Sequence, residues 1–142
     1  MAASSVIYQR ELTLSPDEFI DVLKRSSLAE RRPVDEFERI EDMLQNANLI
    51  ITARVDGKLI GVSRALTDFA FCTYLSDLAV DENYQKKGIG AKLIYETKKH
   101  AIKAKLILLA APKAVNYYPK TGMTSFSHCF LLDDINDMKL KD

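Results

Sequence analysis

Tryptophan is absent from this 142-residue chain, and cysteine, histidine, proline and glycine are scarce, at two, two, four and five residues. Each scarcity excludes something. Cys72 and Cys129 lie far apart and match neither a disulfide framework nor a metal-ligand spacing, so no metal is expected. Both sit in apolar or strand-like stretches and are expected to be buried free thiols. With His100 and His128 as the only histidines, no Ser–His–Asp or Cys–His arrangement is visible, which argues against a covalent enzyme intermediate. No apolar run approaches the roughly 18 residues of a membrane span. Charge of one sign is lacking too. Twenty basic residues balance twenty acidic ones, so no net field draws in nucleic acid or an anionic membrane. The opening MAASSVIYQRE has no basic region followed by an apolar run, so no secretory leader is expected and the cytoplasm is the expected location.

What is present suits one globular domain spanning residues 1–142, with 47% hydrophobic and 28% charged residues and a polar tail, 133–142, expected to fray. Val6–Leu12 reads as a strand. Ser15, Pro16 and Glu18 open a helix as cap, first-turn proline and capping-box partner. After the polar SSLAERRP, a second helix is expected from Val34, with Phe37, Ile40, Leu44 and Ala47 at helical spacing. Leu49–Val55 and Leu59–Thr67 flank an Asp56-Gly57 hairpin turn. Cys72–Val80 is a further strand, Gly88–Ala104 a helix, and Leu106–Ala110 a wholly apolar strand expected to be buried on both faces. Ala114–Lys120 is a short helix ended by Gly122, and Met123–Leu132 a last strand. The order βαα-ββ-β-α-β-α-β predicts an α/β fold, a mixed sheet with helices on both faces.

The most informative stretch is Gln85-Lys86-Lys87-Gly88-Ile89-Gly90, between a predicted strand and a predicted helix. Glycines there permit positive φ and close backbone approach. The helix start offers unpaired N–H groups and a positive dipole end. Together they can cradle a phosphate or pyrophosphate, with Lys86 and Lys87 adding charge. A plain tight turn with two solvated lysines is the competing reading. Neither the G-x-x-x-x-G-K-[ST] loop nor G-x-G-x-x-G is present, since Leu93 stands where a third glycine would be.

The stretch LAVDENYQKKGIGAKLI resembles the Q/R-x-x-G-x-G/A signature of the GCN5-related N-acetyltransferase (GNAT) superfamily, with Val80, Gln85, Gly88 and Gly90 on the pattern. AVNYYPKTGM resembles the family's second segment, with Ala114, Tyr118 and Gly122 at its spacing. The resemblance implies a mixed, mostly antiparallel sheet with a central splayed parallel pair. It implies acetyl-CoA as acyl donor, its arm paired with backbone groups of Leu78, Ala79 and Val80. Its pyrophosphate would rest on the N–H groups of Gln85, Lys86, Lys87, Gly88, Ile89, Gly90 and Ala91. Two family-typical residues are replaced, by Ala111 and Met123; Asn116 is the candidate to supply the hydrogen bonds lost at Ala111, with a surface or capping role as the competing reading.

The implied reaction is acetyl transfer to a primary amine by direct attack in a ternary complex. Tyr118 is the candidate general acid, a phenol of ordinary pKa about 10 that stays neutral at working pH. The base is open. Simple alternation puts Tyr74, Ser76, Leu78 and Val80 on one strand face and Thr73, Leu75, Asp77 and Ala79 on the other. Asp77 is the strand's one carboxylate, a base if a bulge re-aims it and otherwise a structural hydrogen-bond acceptor; a water relay through backbone carbonyls, Ser76 and Tyr74 is the alternative. SSLAERRP and the loop holding Phe69 and Phe71 are expected to choose the acceptor; Arg31 and Arg32 can meet an acidic acceptor or the coenzyme's phosphates, with a solvated surface role as the competing reading. A small-molecule amine is the leading expectation. Peptide or protein N-acetylation and an idle CoA-binding regulatory module are the alternatives. A homodimer through the last strands is also expected.

Overall fold

The computed structural model describes residues 5–141; the leader and tail expectations that fall on Met1–Ser4 and Asp142 lie outside it. It divides into two compact units, residues up to Leu109 and residues from Ala110 on.

The first unit is a five-stranded sheet in the order β1-β2-β3-β4-β5, comprising β1 (Ile7–Arg10), β2 (Leu49–Val55), β3 (Lys58–Thr67), β4 (Cys72–Val80) and β5 (Lys105–Ile107). The first four run antiparallel and β4 pairs with β5 in parallel. Helix α1 (Pro16–Arg25) begins as its sequence dictates: Ser15 Oγ accepts the Glu18 N–H and Pro16 fills the first turn. Its Phe19, Val22 and Leu23 pack with Ile40 and Leu44 of α2 (Phe37–Gln45) over Ile50, Leu59, Val62 and Ala79 of the sheet. The opposite face carries α3 (Ile89–His100), whose Ile89 and Leu93 meet Leu49, Ile51, Ala53, Ile60, Ala65 and Leu75. Gly61 lets α3 sit close, because a Cβ there would lie 3.2 Å from Leu93 Cδ1. The mixed, mostly antiparallel sheet with helices on both faces is the fold the sequence predicted.

β4 departs from simple alternation. Arg64 pairs with Asp77 but Ala65 pairs with Leu75, so Ser76 is an extra residue, a β-bulge. The bulge shifts the phase of the strand. Leu78 joins the α3 layer beside Leu75, whereas Ala79 lies in the α1–α2 layer. Asp77, two residues before Ala79 and opposite Arg64, shares the α1–α2 side.

Several expectations need correcting. β5 is three residues long, and Ile107 is 54% exposed rather than buried on both faces. Among the described residues no strand forms over Met123–Leu132, so the parallel pair stands at the sheet's edge and β5 has no partner beyond β4. Strand-forming residues alone do not make a strand; a ladder needs a partner. The expected route to a homodimer is thereby left without its strand. Both cysteines are exposed free thiols. Cys72 begins a strand, where the chain emerges from a loop, and Cys129 lies outside regular structure.

The second unit holds a 3₁₀ turn at Pro112–Ala114, helix α4 (Tyr117–Lys120) and a 3₁₀ turn at Ile135–Asp137. α4 ends as expected at Gly122, whose φ is +97°, with the Gly122 and Met123 N–H groups donating to Pro119 and Tyr118 carbonyls.

Candidate functional site

The pairing of β4 with β5 covers Cys72–Tyr74 and stops there. The bulge follows at Ser76, and a bulged strand bends. Among the described residues no strand pairs with the β5-facing edge of β4 from Leu75 to Val80, so no sheet ladder engages the backbone of Leu78, Ala79 and Val80 on that edge.

β4 then leads into the glycine turn through a braced corner. The Asp81 N–H donates to the Ile60 carbonyl at 2.8 Å, and Asp81 Oδ1 accepts the Asn83 N–H at 2.8 Å. Arg25 of α1 pairs with the same carboxylate and donates to the Leu59 carbonyl at 2.6 Å. Burial pushes the Asp81 carboxyl up, but the Asn83 N–H and the Arg25 guanidinium outweigh it and hold the carboxyl below its ordinary value. Gln85 Nε2 donates to the Val80 carbonyl at 2.9 Å, folding the turn back on the strand end.

The turn has the geometry its glycines allow. Lys86 has φ +63° and Gly88 φ +82°, and Gly88 is the N-cap of α3. No side chain caps this helix and no acid occupies its first turn. Its leading N–H groups, Ile89 to Ala91, precede the first bond of the helix ladder, Lys92 N–H to the Gly88 carbonyl. Nothing lies within 4 Å of where a Gly88 Cβ would stand. An uncapped, acid-free helix start facing open space suits an anion. Lys86 and Lys87 are exposed beside it, and the Lys87 ammonium lies 5.4 Å from the Tyr84 ring centroid. The residues present therefore fit a pyrophosphate and an extended arm.

On the α1–α2 side of the bulge, Asp77 is fully buried and its two oxygens pair with Arg32 and Arg64. Arg64 also donates to Ser76 Oγ at 3.0 Å and to the Met43 carbonyl at 3.0 Å. Arg32 donates to the Ser76 carbonyl at 2.8 Å. Sequence reasoning singled out Asp77 and Ser76, and considered Arg32 as a contact for an anion. It missed Arg64 altogether; an arginine within the mostly apolar run Leu59–Leu66 was the available signal. Tyr74 stands on the same side, partly exposed. At the start of β4, Asp68 Oδ1 accepts the Ala70, Phe71 and Cys72 N–H groups. Those bonds, led by Phe71, hold its carboxyl down at about 2. This loop presents Phe69 and Phe71, under Arg10 and Lys105 respectively.

Tyr118 and Asn116 belong to the second unit. Asn116 is the N-cap of α4 without a side-chain capping bond. The Tyr118 ring meets Tyr117 edge to face, with centroids 5.2 Å apart. His100 Nδ1 lies 2.8 Å from the Glu96 carbonyl on α3, and His128 packs against Phe126.

Comparison with known proteins bears on the same elements. Residues 16–123 match the model of the acetyltransferase (GNAT) family. An uncharacterised N-acetyltransferase, ycf52, of Pyropia yezoensis is 24% identical over 125 residues, covering 80% of this chain and 70% of its own. A GNAT-family acetyltransferase of Streptococcus pneumoniae superposes with a TM-score of 0.77 at 20% identity, over 94% of this chain and 100% of its own. A probable acetyltransferase of methicillin-resistant Staphylococcus aureus gives 0.75 at 18% identity, over 92% and 100%. An aminoglycoside acetyltransferase from a soil metagenome, solved with sisomicin, gives 0.67 at 20% identity, over 96% and 97%. The family match runs from the first residue of α1 to the turn that closes α4, and so takes in both the glycine turn and Tyr118: this chain belongs to the GNAT family of acetyltransferases.

Proposed function

We propose that this protein transfers an acetyl group from acetyl-CoA to the primary amine of a small molecule. The observation that carries the reading is the conjunction of an unpaired β4 edge with an uncapped helix start entered through Gly88 at φ +82°. When bound, acetyl-CoA supplies the activated thioester. The Leu78–Val80 backbone orients its arm, and the N–H groups from Gln85 to Ala91 hold its pyrophosphate, helped by Lys86 and Lys87. Tyr118 donates a proton to the departing sulfur. Asn116 assists in positioning the arm. Both Asp77 oxygens are engaged by arginines, so Asp77 anchors the site rather than taking the amine's proton. Deprotonation runs through water held near Tyr74 and Ser76. The aminoglycoside enzyme among the structural neighbours is consistent with a small amine acceptor.

The test is direct. Acetyl-CoA at about one hundred times its Kd should add about 2.7 kcal/mol to the native state. That corresponds to roughly 5–10 °C in Tm for a chain of this size. A melting curve unmoved by saturating acetyl-CoA would overturn the reading. Thiol release with spermidine, glucosamine, phenethylamine and sisomicin then reports the acceptor class.

A further inference from the structure

The geometry points to Arg32 as the residue that positions the acceptor side of the site, by fastening the segment between α1 and α2 to the bulge of β4. The inference rests on the acetyltransferase reading above and adds a residue that reading does not use.

A bulge leaves the extra residue outside the ladder, and a buried backbone carbonyl without a partner is costly. At Ser76 the partner is Arg32, which donates to the Ser76 carbonyl while its Nε pairs with Asp77. Asp77 lies 45 residues away in sequence and is fully buried, whereas the Arg32 side chain is 22% exposed at the rim of the cluster. The segment that carries Arg32 has little regular structure of its own. Ser27 turns the chain at φ +67°, a 3₁₀ turn spans Leu28–Arg31, and Arg32 itself is extended. Its backbone bonds are local, such as Glu30 N–H to the Ser27 carbonyl and Val34 N–H to the Arg32 carbonyl. Leu28, Ala29 and Val34, each only partly buried, pack it against the core. The forked guanidinium therefore gives this segment its fixed register against β4, with directional bonds that apolar packing lacks.

The two arginines divide the work. Arg64 comes from β3 and holds the bulge from within the sheet, through Asp77, Ser76 Oγ and the Met43 carbonyl. Removing Arg32 leaves that grip in place, so the free edge of β4 and the glycine turn keep their shape. What is lost is the tie between that segment and the bulge at Ser76, where the amine would be aligned. The consequence is a split: the acceptor suffers and the coenzyme does not.

The experiment compares wild type, Arg32→Ala and Arg32→Lys, using acetyl-CoA and whichever of spermidine, glucosamine, phenethylamine and sisomicin the wild type acetylates fastest. Arg32→Ala should lower kcat/KM for the amine roughly 10- to 100-fold, the scale of lost alignment. The acetyl-CoA Kd, read by calorimetry, should stay within about twofold, below 0.5 kcal/mol. Arg32→Lys keeps the charge on Asp77 but loses the fork, and should recover part of the loss. An unchanged amine kcat/KM in Arg32→Ala, or parallel losses for amine and acetyl-CoA, overturns the assignment while leaving the acetyltransferase reading intact. A wild type that binds no acetyl-CoA and acetylates none of the four amines overturns both.

Discussion

Gly88→Ala, paired with Gly57→Ala, isolates the turn's contribution to coenzyme binding. The two glycines have nearly the same backbone, φ +82° and +81°, and a Cβ at either would meet nothing within 4 Å. Neither substitution clashes, so both carry the same intrinsic cost, the left-handed conformation imposed on a Cβ-bearing residue, about 1–2 kcal/mol. They differ in place. Gly57 closes the β2–β3 hairpin, and Gly88 caps α3 where the leading N–H groups emerge. At Gly57 the cost should appear as stability alone, a Tm lower by roughly 2–8 °C. At Gly88, which no strand ladder clamps as the paired β2 and β3 clamp Gly57, the turn can relax toward negative φ, which relieves the strain but re-aims the N–H groups. Acetyl-CoA must then restore the turn, and its Kd should rise about 5- to 30-fold for that same 1–2 kcal/mol. Calorimetry on both variants, with circular dichroism to confirm folding, is the assay. A folded Gly88→Ala protein that binds acetyl-CoA as tightly as wild type refutes the reasoning, as does an equal loss of affinity in Gly57→Ala.

Tyr118→Phe should lower the single-turnover rate roughly 10- to 1000-fold, the scale of a positioned proton donor, with little change in acetyl-CoA affinity; wild-type rates across the pH range would remove the phenol from the mechanism. Stability should also fall in acid. Burial raises the Glu11 carboxyl, but bonds from Arg54, Thr52 and Gln9 outweigh it and hold it below its ordinary value, as Asp81 is held. A depressed folded value means stability that is full above the ordinary carboxylate range, near pH ~4, and lost as pH falls through the folded values. Urea denaturation should therefore show a plateau above about pH 5 and a decline below about pH 4. Glu11→Gln should flatten that decline, and an unchanged acid limb would contradict the assignment.

The sequence made visible those features that local chemistry determines. Ser15 and Pro16 start α1 as read, Asp56-Gly57 closes the hairpin, and β2 and β4 have the expected limits. Gly88 takes the positive φ for which a glycine was needed. What escaped depends on partners distant in sequence. Period-two alternation has no means of registering an inserted residue, so the bulge at Ser76 was open only as a possibility for Asp77. The run Leu106–Ala110 is apolar throughout, yet β5 is short and half-open because burial requires a neighbour on each side. Met123–Leu132 has strand-forming residues and no ladder to join. The ties of Arg32 and Arg64 to Asp77 span 45 and 13 residues, and no spacing rule connects them.

The bulge carries one more consequence. Striking Ser76 out of β4 would leave Leu75 next to Asp77, and ordinary alternation would then place every side chain on the face it already occupies. The alternation of the strand thus does not require the residue, although Arg32 and Arg64 both bond to it. Its presence bends the strand at the point where pairing with β5 ceases. A β4 without it would keep its core contacts and run straight, and the proposed acyl-transfer site would lose the bend that parts β4 from β5.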